Sequence, residues 1–248
     1  MKPSVVVWMA LWMAWGLFLS TQAFPMATPT SPLLSTTSVT SPGTANIENP
    51  WYFVPSTDNP SVSSSWHQLV PRPWQNPRGH DVTVQFNPST AAQAAQQLLL
   101  DTPLAHDTTS RQQIQHSMEL FMDYCHHQQN LSTTTPFQAR LVCGRGPTSA
   151  KCPQWHVDHV PVRYIQALVG PGCDLYAQQD PTIMETEDGG RQLLKVHPKH
   201  VQSVPTGQAV LLQGQKSVLA PACWHKSPSK VAPWQGRVLL TMDIARKE

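Results

Sequence analysis

Apolar and polar positions along this chain follow patterns that change character several times. An unbroken apolar run from Val5 to Leu19 comes first. It is followed, from Phe24 to Ile47, by a stretch dominated by Ser, Thr and Pro that contains no Asp, Glu, Lys or Arg. Prolines then recur through Pro50, Pro55, Pro60, Pro71, Pro73, Pro77 and Pro88, with Trp51, Trp66 and Trp74 between them. Proline fixes φ and removes a backbone donor, so this part predicts an extended arm, with one short strand at Val82–Phe86. Helical spacing appears next. Ser89 or Thr90 is placed to cap a helix through Ala91, Ala94, Ala95 and Leu98 to Leu100, which Pro103 should end. A second helix after Ser110 carries Ile114, Met118, Phe121 and Cys125 on one stripe and fades near Gln129. His116, His126 and His127, on or beside it, read as surface or packing residues without a carboxylate at ligand spacing.

Beyond Pro136 the pattern shortens to apolar runs separated by Gly and Pro. Strands are expected at Phe137–Cys143, Trp155–Val160, Val162–Val169, Gln192–Val196, Ala209–Gln213, Ala222–His225 and Arg237–Ile244. The fold class that follows is α+β, mainly β: a jelly-roll-like double-stranded β-helix of the cupin/dioxygenase type behind an N-terminal helical segment. The expected organisation is a leader over 1–23, a linker or transit-like segment over 24–48, the arm over 49–88, helices over 89–130 and the β domain over 131–248.

Composition narrows the compartment and the partners. The apolar run of the leader falls short of the roughly 20 residues needed to cross a bilayer, which predicts a secretory signal peptide and no transmembrane segment in the mature chain. A Ser/Thr/Pro stretch without charge cannot bury enough apolar surface to fold. Charged residues make up 13% of the 248 residues and the formal net charge is +2, with no basic stripe, so nucleic acid is not an expected partner. The five cysteines are odd in number and scattered, which suits reduced thiols better than a disulfide scaffold.

The chemistry concentrates in Cys152-Pro-Gln-Trp-His156-Val-Asp158-His159-Val-Pro161 and in Trp224-His225-Lys-Ser-Pro228. On an extended strand His156 and Asp158 would share a face. His225, from a later strand, would complete a facial set of two nitrogens and one oxygen with open positions, the arrangement of non-heme Fe(II) oxygenases. Arg237 on the next strand could clamp a dicarboxylate in a bidentate fork. Tyr164, further along the same face as His156, is a candidate contact for that co-substrate or else a core aromatic. His159 and Arg163, on the opposite face, are candidates for orienting the ligands. Two other readings stay open. With Cys152 as a fourth donor the set would close into a Zn(II) site without chemistry, and a jelly roll without activity would serve as a binding module.

Several resemblances rest on these residues. The break within Thr-Gln-Ala-Phe24-Pro resembles the bipartite leaders of algae with secondary plastids, which implies delivery to a plastid; secretion is the alternative. The run from Cys152 to Arg163, with Leu168-Val-Gly-Pro-Gly-Cys173, Pro205-Thr-Gly-Gln-Ala-Val-Leu-Leu, His225-Lys-Ser-Pro and Arg237-Val-Leu-Leu-Thr-Met-Asp243, resembles the domain-of-unknown-function 1826 family. That family has no established activity; its bacterial members tend to accompany zinc-starvation genes, which implies a link to metals. The order His-x-Asp, His, Arg is similar to the Fe(II)/2-oxoglutarate dioxygenases. That resemblance implies Fe(II) on His156, Asp158 and His225, 2-oxoglutarate on Arg237, and an unknown small-molecule or peptide substrate. Leu239 stands where many of those enzymes place Ser or Thr.

Overall fold

The computed structural model describes residues 49–54, 64–72, 79–177, 181–185, 191–228 and 231–245. The expected signal peptide, the segment over 24–48 and much of the arm, Trp74 included, lie outside them. Strand β1 (Trp51–Phe53) opens the described chain, then a 3-10 turn at Ser64–Leu69 and strand β2 (Asp81–Phe86). Helices α1 (Ala91–Leu99) and α2 (Thr108–Gln128) follow. The remaining strands are β3 (Phe137–Arg145), β4 (Val162–Val169), β5 (Asp174–Tyr176), β6 (Ile183–Glu185), β7 (Arg191–Leu193), β8 (Val201–Ser203), β9 (Ala209–Gln213), β10 (His225–Lys226) and β11 (Gly236–Ile244). Among the described residues no helix is long and apolar enough to cross a membrane.

Both helices form where the apolar spacing places them. The side chain of Asp107 accepts from the Ser110 N–H and starts α2 a little earlier than Ser110 would. Ile114, Met118, Phe121 and Cys125 are fully buried, and the Trp66 indole donates to Gln113 on the same helix at 2.8 Å, which docks part of the arm. His127 does have a carboxylate neighbour, Asp123 one turn earlier at 3.2 Å, but both are exposed.

The strands pair antiparallel in a six-stranded sheet ordered β1-β9-β4-β11-β3-β2, a three-stranded sheet ordered β10-β5-β8, and the β6-β7 ribbon. Side chains alternate across a strand, so the central strands β4 and β9 each serve two layers. Tyr164, Leu211, Leu240 and Met242 meet the helices in one core, whereas Ile165, Val210 and Leu212 meet Cys173, Leu175, Val204 and Cys223 of the small-sheet side in another. Strands β4 and β9 run over the residues expected of them, and β11 begins one residue earlier than expected. The expected strand at Trp155–Val160 does not form. Pro153 and Pro161 bracket it, and only His156 makes a ladder contact, an isolated bridge to His225. The expected Ala222–His225 strand is displaced to β10, and Gln192–Val196 shortens into β7 of the ribbon. β1, β5 and β8, of three residues each, carry too little pattern to be read from sequence.

Candidate metal centre

His156 and His225 are brought together by main chain. The His156 N–H donates to the His225 carbonyl at 3.0 Å and the His225 N–H returns the bond at 2.9 Å. Such a reciprocal antiparallel pair places side chains opposite one another, and the two imidazole centroids are 4.4 Å apart. Beyond His156 the chain leaves the ladder and is caught by a turn. Gly214 N–H donates to the Pro161 carbonyl at 2.9 Å, Gln215 N–H to Asp158 at 2.8 Å and Lys216 N–H to Val160 at 3.2 Å. A Cβ on Gly214 would run into the Val160 carbonyl oxygen, so this close approach requires glycine. The clamp turns Asp158 toward the imidazoles without any strand.

One donor atom each from His156, Asp158 and His225 lies within 4.8 Å of the others. Nε2 of His225 is 3.2 Å from Asp158 Oδ2, and Nε2 of His156 is 3.8 Å from Asp158 Oδ1. For bonds of about 2.1 Å, donors around one ion stand about 3.0 to 3.4 Å apart; the His225–Asp158 pair has that spacing, and His156 stands wider, within the 4.8 Å of the whole group.

The hydrogen bonds dictate which atoms face the centre. Nδ1 of His156 is 2.9 Å from the Gln154 carbonyl, and Nδ1 of His225 is 3.2 Å from the Cys223 carbonyl. A carbonyl only accepts, so each Nδ1 carries the hydrogen, and Nε2 is left to face the centre, as a lone pair when the ring is neutral and as a donor when it is protonated. Asp158 Oδ1 accepts from Arg163 Nη1 at 2.7 Å, whereas Oδ2 is buried with no hydrogen-bond donor. At 3.2 Å the Oδ2 and His225 Nε2 lone pairs would repel, and either a shared proton or a cation removes the repulsion. Burial, then the neighbouring His225, lowers the pKa of His156 and favours the neutral ligand form. Burial alone would raise the pKa of Asp158, but His225, Arg163 and His156 together outweigh it, hold the value below the ordinary one and keep the carboxylate ionised. The His156 side chain is 32% exposed against 5% for His225, so the centre opens on the His156 side.

The other candidates fall elsewhere. Cys152 is exposed and its thiol is outside the cluster; its main chain pairs with Ser227, whose N–H donates to the Cys152 carbonyl at 2.7 Å. Tyr164 is a core aromatic: alternation along β4 turns it to α2, where it meets Phe121 edge-on at 6.2 Å and donates to Gln166 at 3.0 Å. His159 points outward, with Nδ1 3.0 Å from Gln215 Oε1. Arg163, expected on the face away from the ligands, in fact lies against Asp158, because Asp158 is not on the strand that the expectation assumed. Arg237 is 2% exposed; its Nε donates to the Pro171 carbonyl at 2.9 Å and Nη1 to the Ser149 carbonyl at 3.2 Å. Burial lowers its pKa. Asp243, which the sequence did not single out, holds the Arg163 fork through both oxygens at 2.7 Å. Its only sequence signal is parity with Arg237 on one strand, which puts both on the inner face.

Residues 57–243 match the family described as protein of unknown function (DUF1826). No curated protein matches the sequence. Among solved structures the chain is similar to the dioxygenase for auxin oxidation of rice, at 15% identity and TM-score 0.39 over 69% of this chain and 60% of that one. It is also similar to dioxygenase for auxin oxidation 1 from Arabidopsis thaliana in binary complex with 2-oxoglutarate, at 10% identity and TM-score 0.40 over 70% of this chain and 66% of that one. A third is IDO from Bacillus thuringiensis, at 13% identity and TM-score 0.37 over 56% of this chain and 58% of that one. In each case the chain spans less than two thirds of the other protein, and at these TM-scores the likeness is distant.

Proposed function

The chain belongs to the DUF1826 family, and we propose that it is a metal-dependent oxygenase, holding Fe(II) on His156, Asp158 and His225 and using 2-oxoglutarate as co-substrate. The observation that carries this reading is the buried, donor-free Oδ2 of Asp158, 3.2 Å from Nε2 of His225 and grouped with His156. Three protein donors leave further positions of an octahedral ion open, which is what distinguishes a reactive centre from a closed structural one. The two packed sheets, with His225 on an edge strand of the smaller one, support reading the fold as a jelly-roll-like double-stranded β-helix.

Fe(II) bound there supplies activation of O2 for attack on a C–H bond. The chain's own part is positional. The carbonyls of Gln154 and Cys223 fix both rings with Nε2 inward, and Arg163 holds one oxygen of Asp158 so that the other faces the ion. Arg237 would pair with the distal carboxylate of 2-oxoglutarate. Its guanidinium is buried against main-chain carbonyls and no carboxylate pairs with it among the described residues, so an anionic ligand would offset its desolvation.

The test begins with protein purified without added metal and loaded with Fe(II) under argon. Stoichiometric Fe(II), succinate formed from 2-oxoglutarate on admitting air, and loss of both in His156→Ala, Asp158→Asn and His225→Ala are the expected results. Retained turnover in Arg237→Met would remove 2-oxoglutarate from the reading. Tight Zn(II) that Fe(II) does not displace, with no succinate, would replace the oxygenase by a non-catalytic zinc protein held by the same three donors.

A further inference from the structure

The carboxylate of Asp158 has two oxygens and they are treated differently. Oδ1 accepts from Arg163 Nη1 at 2.7 Å; Oδ2, 3.2 Å from His225 Nε2, has no donor. Arg163 is itself immobilised, because its Nε and Nη2 form a fork on Oδ1 and Oδ2 of Asp243, both at 2.7 Å. Asp243 and Arg163 are also direct partners in the β4–β11 register. The irregular segment bearing Asp158 is therefore tied to the middle of the six-stranded sheet through one guanidinium whose donor directions are fixed by its planarity.

We propose that Arg163, anchored by Asp243, is a positioning residue that keeps Asp158 a one-oxygen ligand and so keeps three positions of the bound ion free. This inference rests on the metal reading above. A carboxylate with both oxygens available chelates a divalent ion through both, as those of calcium sites do. On an octahedral ion with two imidazoles, chelation of that kind leaves two positions where one-oxygen binding leaves three. A co-substrate that itself chelates and an O2 molecule need all three. Oδ1 keeps a second lone pair and lies 3.8 Å from His156 Nε2, so Arg163 acts by drawing Oδ1 toward its guanidinium, which disfavours the second bond without touching the ion. Asp243 serves the same end by a different route. It spends the fork of Arg163, which otherwise has the geometry to close on both oxygens of Asp158 and pull Oδ2 away from the metal.

The two residues consequently have opposite failure modes, and Mn(II) is the probe that separates them. Titration of the full-length protein with Mn(II), followed by water-proton relaxation, gives both affinity and the number of exchangeable waters. Arg163→Met should bind Mn(II) with an inner-sphere enhancement of about two-thirds of the wild-type value, three waters becoming two. Asp243→Asn should keep the hydration number and bind about tenfold more weakly, the lower end of what loss of such an outer contact costs. A merely structural ion pair would lower thermal stability in both and change neither reading. A folded Arg163→Met with wild-type hydration overturns the proposal. Should Arg163→Met not fold, Asp243→Asn decides, and unchanged affinity overturns it. A wild-type protein that binds no Mn(II), Fe(II) or Zn(II) brings down the metal reading itself, whereas binding with unaltered variants brings down this inference alone.

Discussion

Gly214 makes no contact with the three donors through a side chain of its own, yet it decides where one of them goes. Its N–H reaches the Pro161 carbonyl, and its missing Cβ is what lets the turn lie flat on the Asp158–Pro161 segment. Gly214→Ala should cost about 1–3 kcal/mol, the usual range for forcing a group into filled space. It should also weaken metal binding more than its effect on stability implies, because the Gln215 and Lys216 bonds to the same segment loosen with it. Calorimetric titration beside a denaturant curve checks both; an alanine variant with intact affinity would mean that Asp158 is placed by Arg163 alone. His156, Asp158 and His225 were legible individually, since titratable side chains at short spacing in an otherwise apolar run stand out. The partners of Arg163 and Asp243 were not. The Arg163–Asp243 pair follows from the long-range β4–β11 register, and the Arg163–Asp158 contact from Asp158 leaving the strand that the spacing implied, a property of the turn at Gly214 and not of the dipeptide spacing.

Elements differ in how much pattern they carry, and that explains which were readable. α2 has a buried stripe over several turns, β4 and β9 are runs buried on nearly every position, and β11 alternates buried with half-buried positions, so each declares itself. β10 has only His225 and Lys226, and no window is short enough to detect it. The edge strand β2 is held differently. Asp81 accepts a two-pronged bond from Arg140 on β3 at 2.8 Å and also pairs with Lys151. The Arg140 bond first, and Lys151 after it, hold the Asp81 carboxyl well below its ordinary value of 3.8. A lowered folded-state pKa contributes stability above the unfolded-state value and loses it as pH falls toward the folded one. Asp81→Asn should therefore cost up to about 1 kcal/mol at neutral pH, the figure for a solvent-screened pair. The gap between variant and parent should narrow steadily below about pH 4. Urea curves at several pH values measure it, and a gap of the same size at pH 2 as at pH 5 would show that the contacts of Asp81 do not work through its charge.

At the level of the whole molecule, the mainly β, antiparallel character came through because it depends on repetition: many short runs, many breaks, few charges. The strand order did not, since which strand neighbours which is set by long-range pairing such as β1 with β9. The candidate centre draws on chain positions almost seventy residues apart, so an ion bound there would link segments that the sequence leaves distant. A ligand that binds only the folded state raises stability by about 2.7 kcal/mol at one hundred times its dissociation constant. Saturating Fe(II) or Mn(II) should thus raise the melting temperature of the parent and leave His225→Ala unmoved. Equal shifts in both would place the ion elsewhere.

The reciprocal main-chain bonds between residues 156 and 225 do not depend on the rings those residues carry. Whatever side chain stands at either place is presented to its opposite number, so the frame behaves as a socket independent of the plug. Exchanging one imidazole for a carboxylate would turn the socket toward oxygen-preferring ions such as magnesium. Were an ion held there as proposed, its selectivity would be a matter of single codons, open to drift or design without a new scaffold.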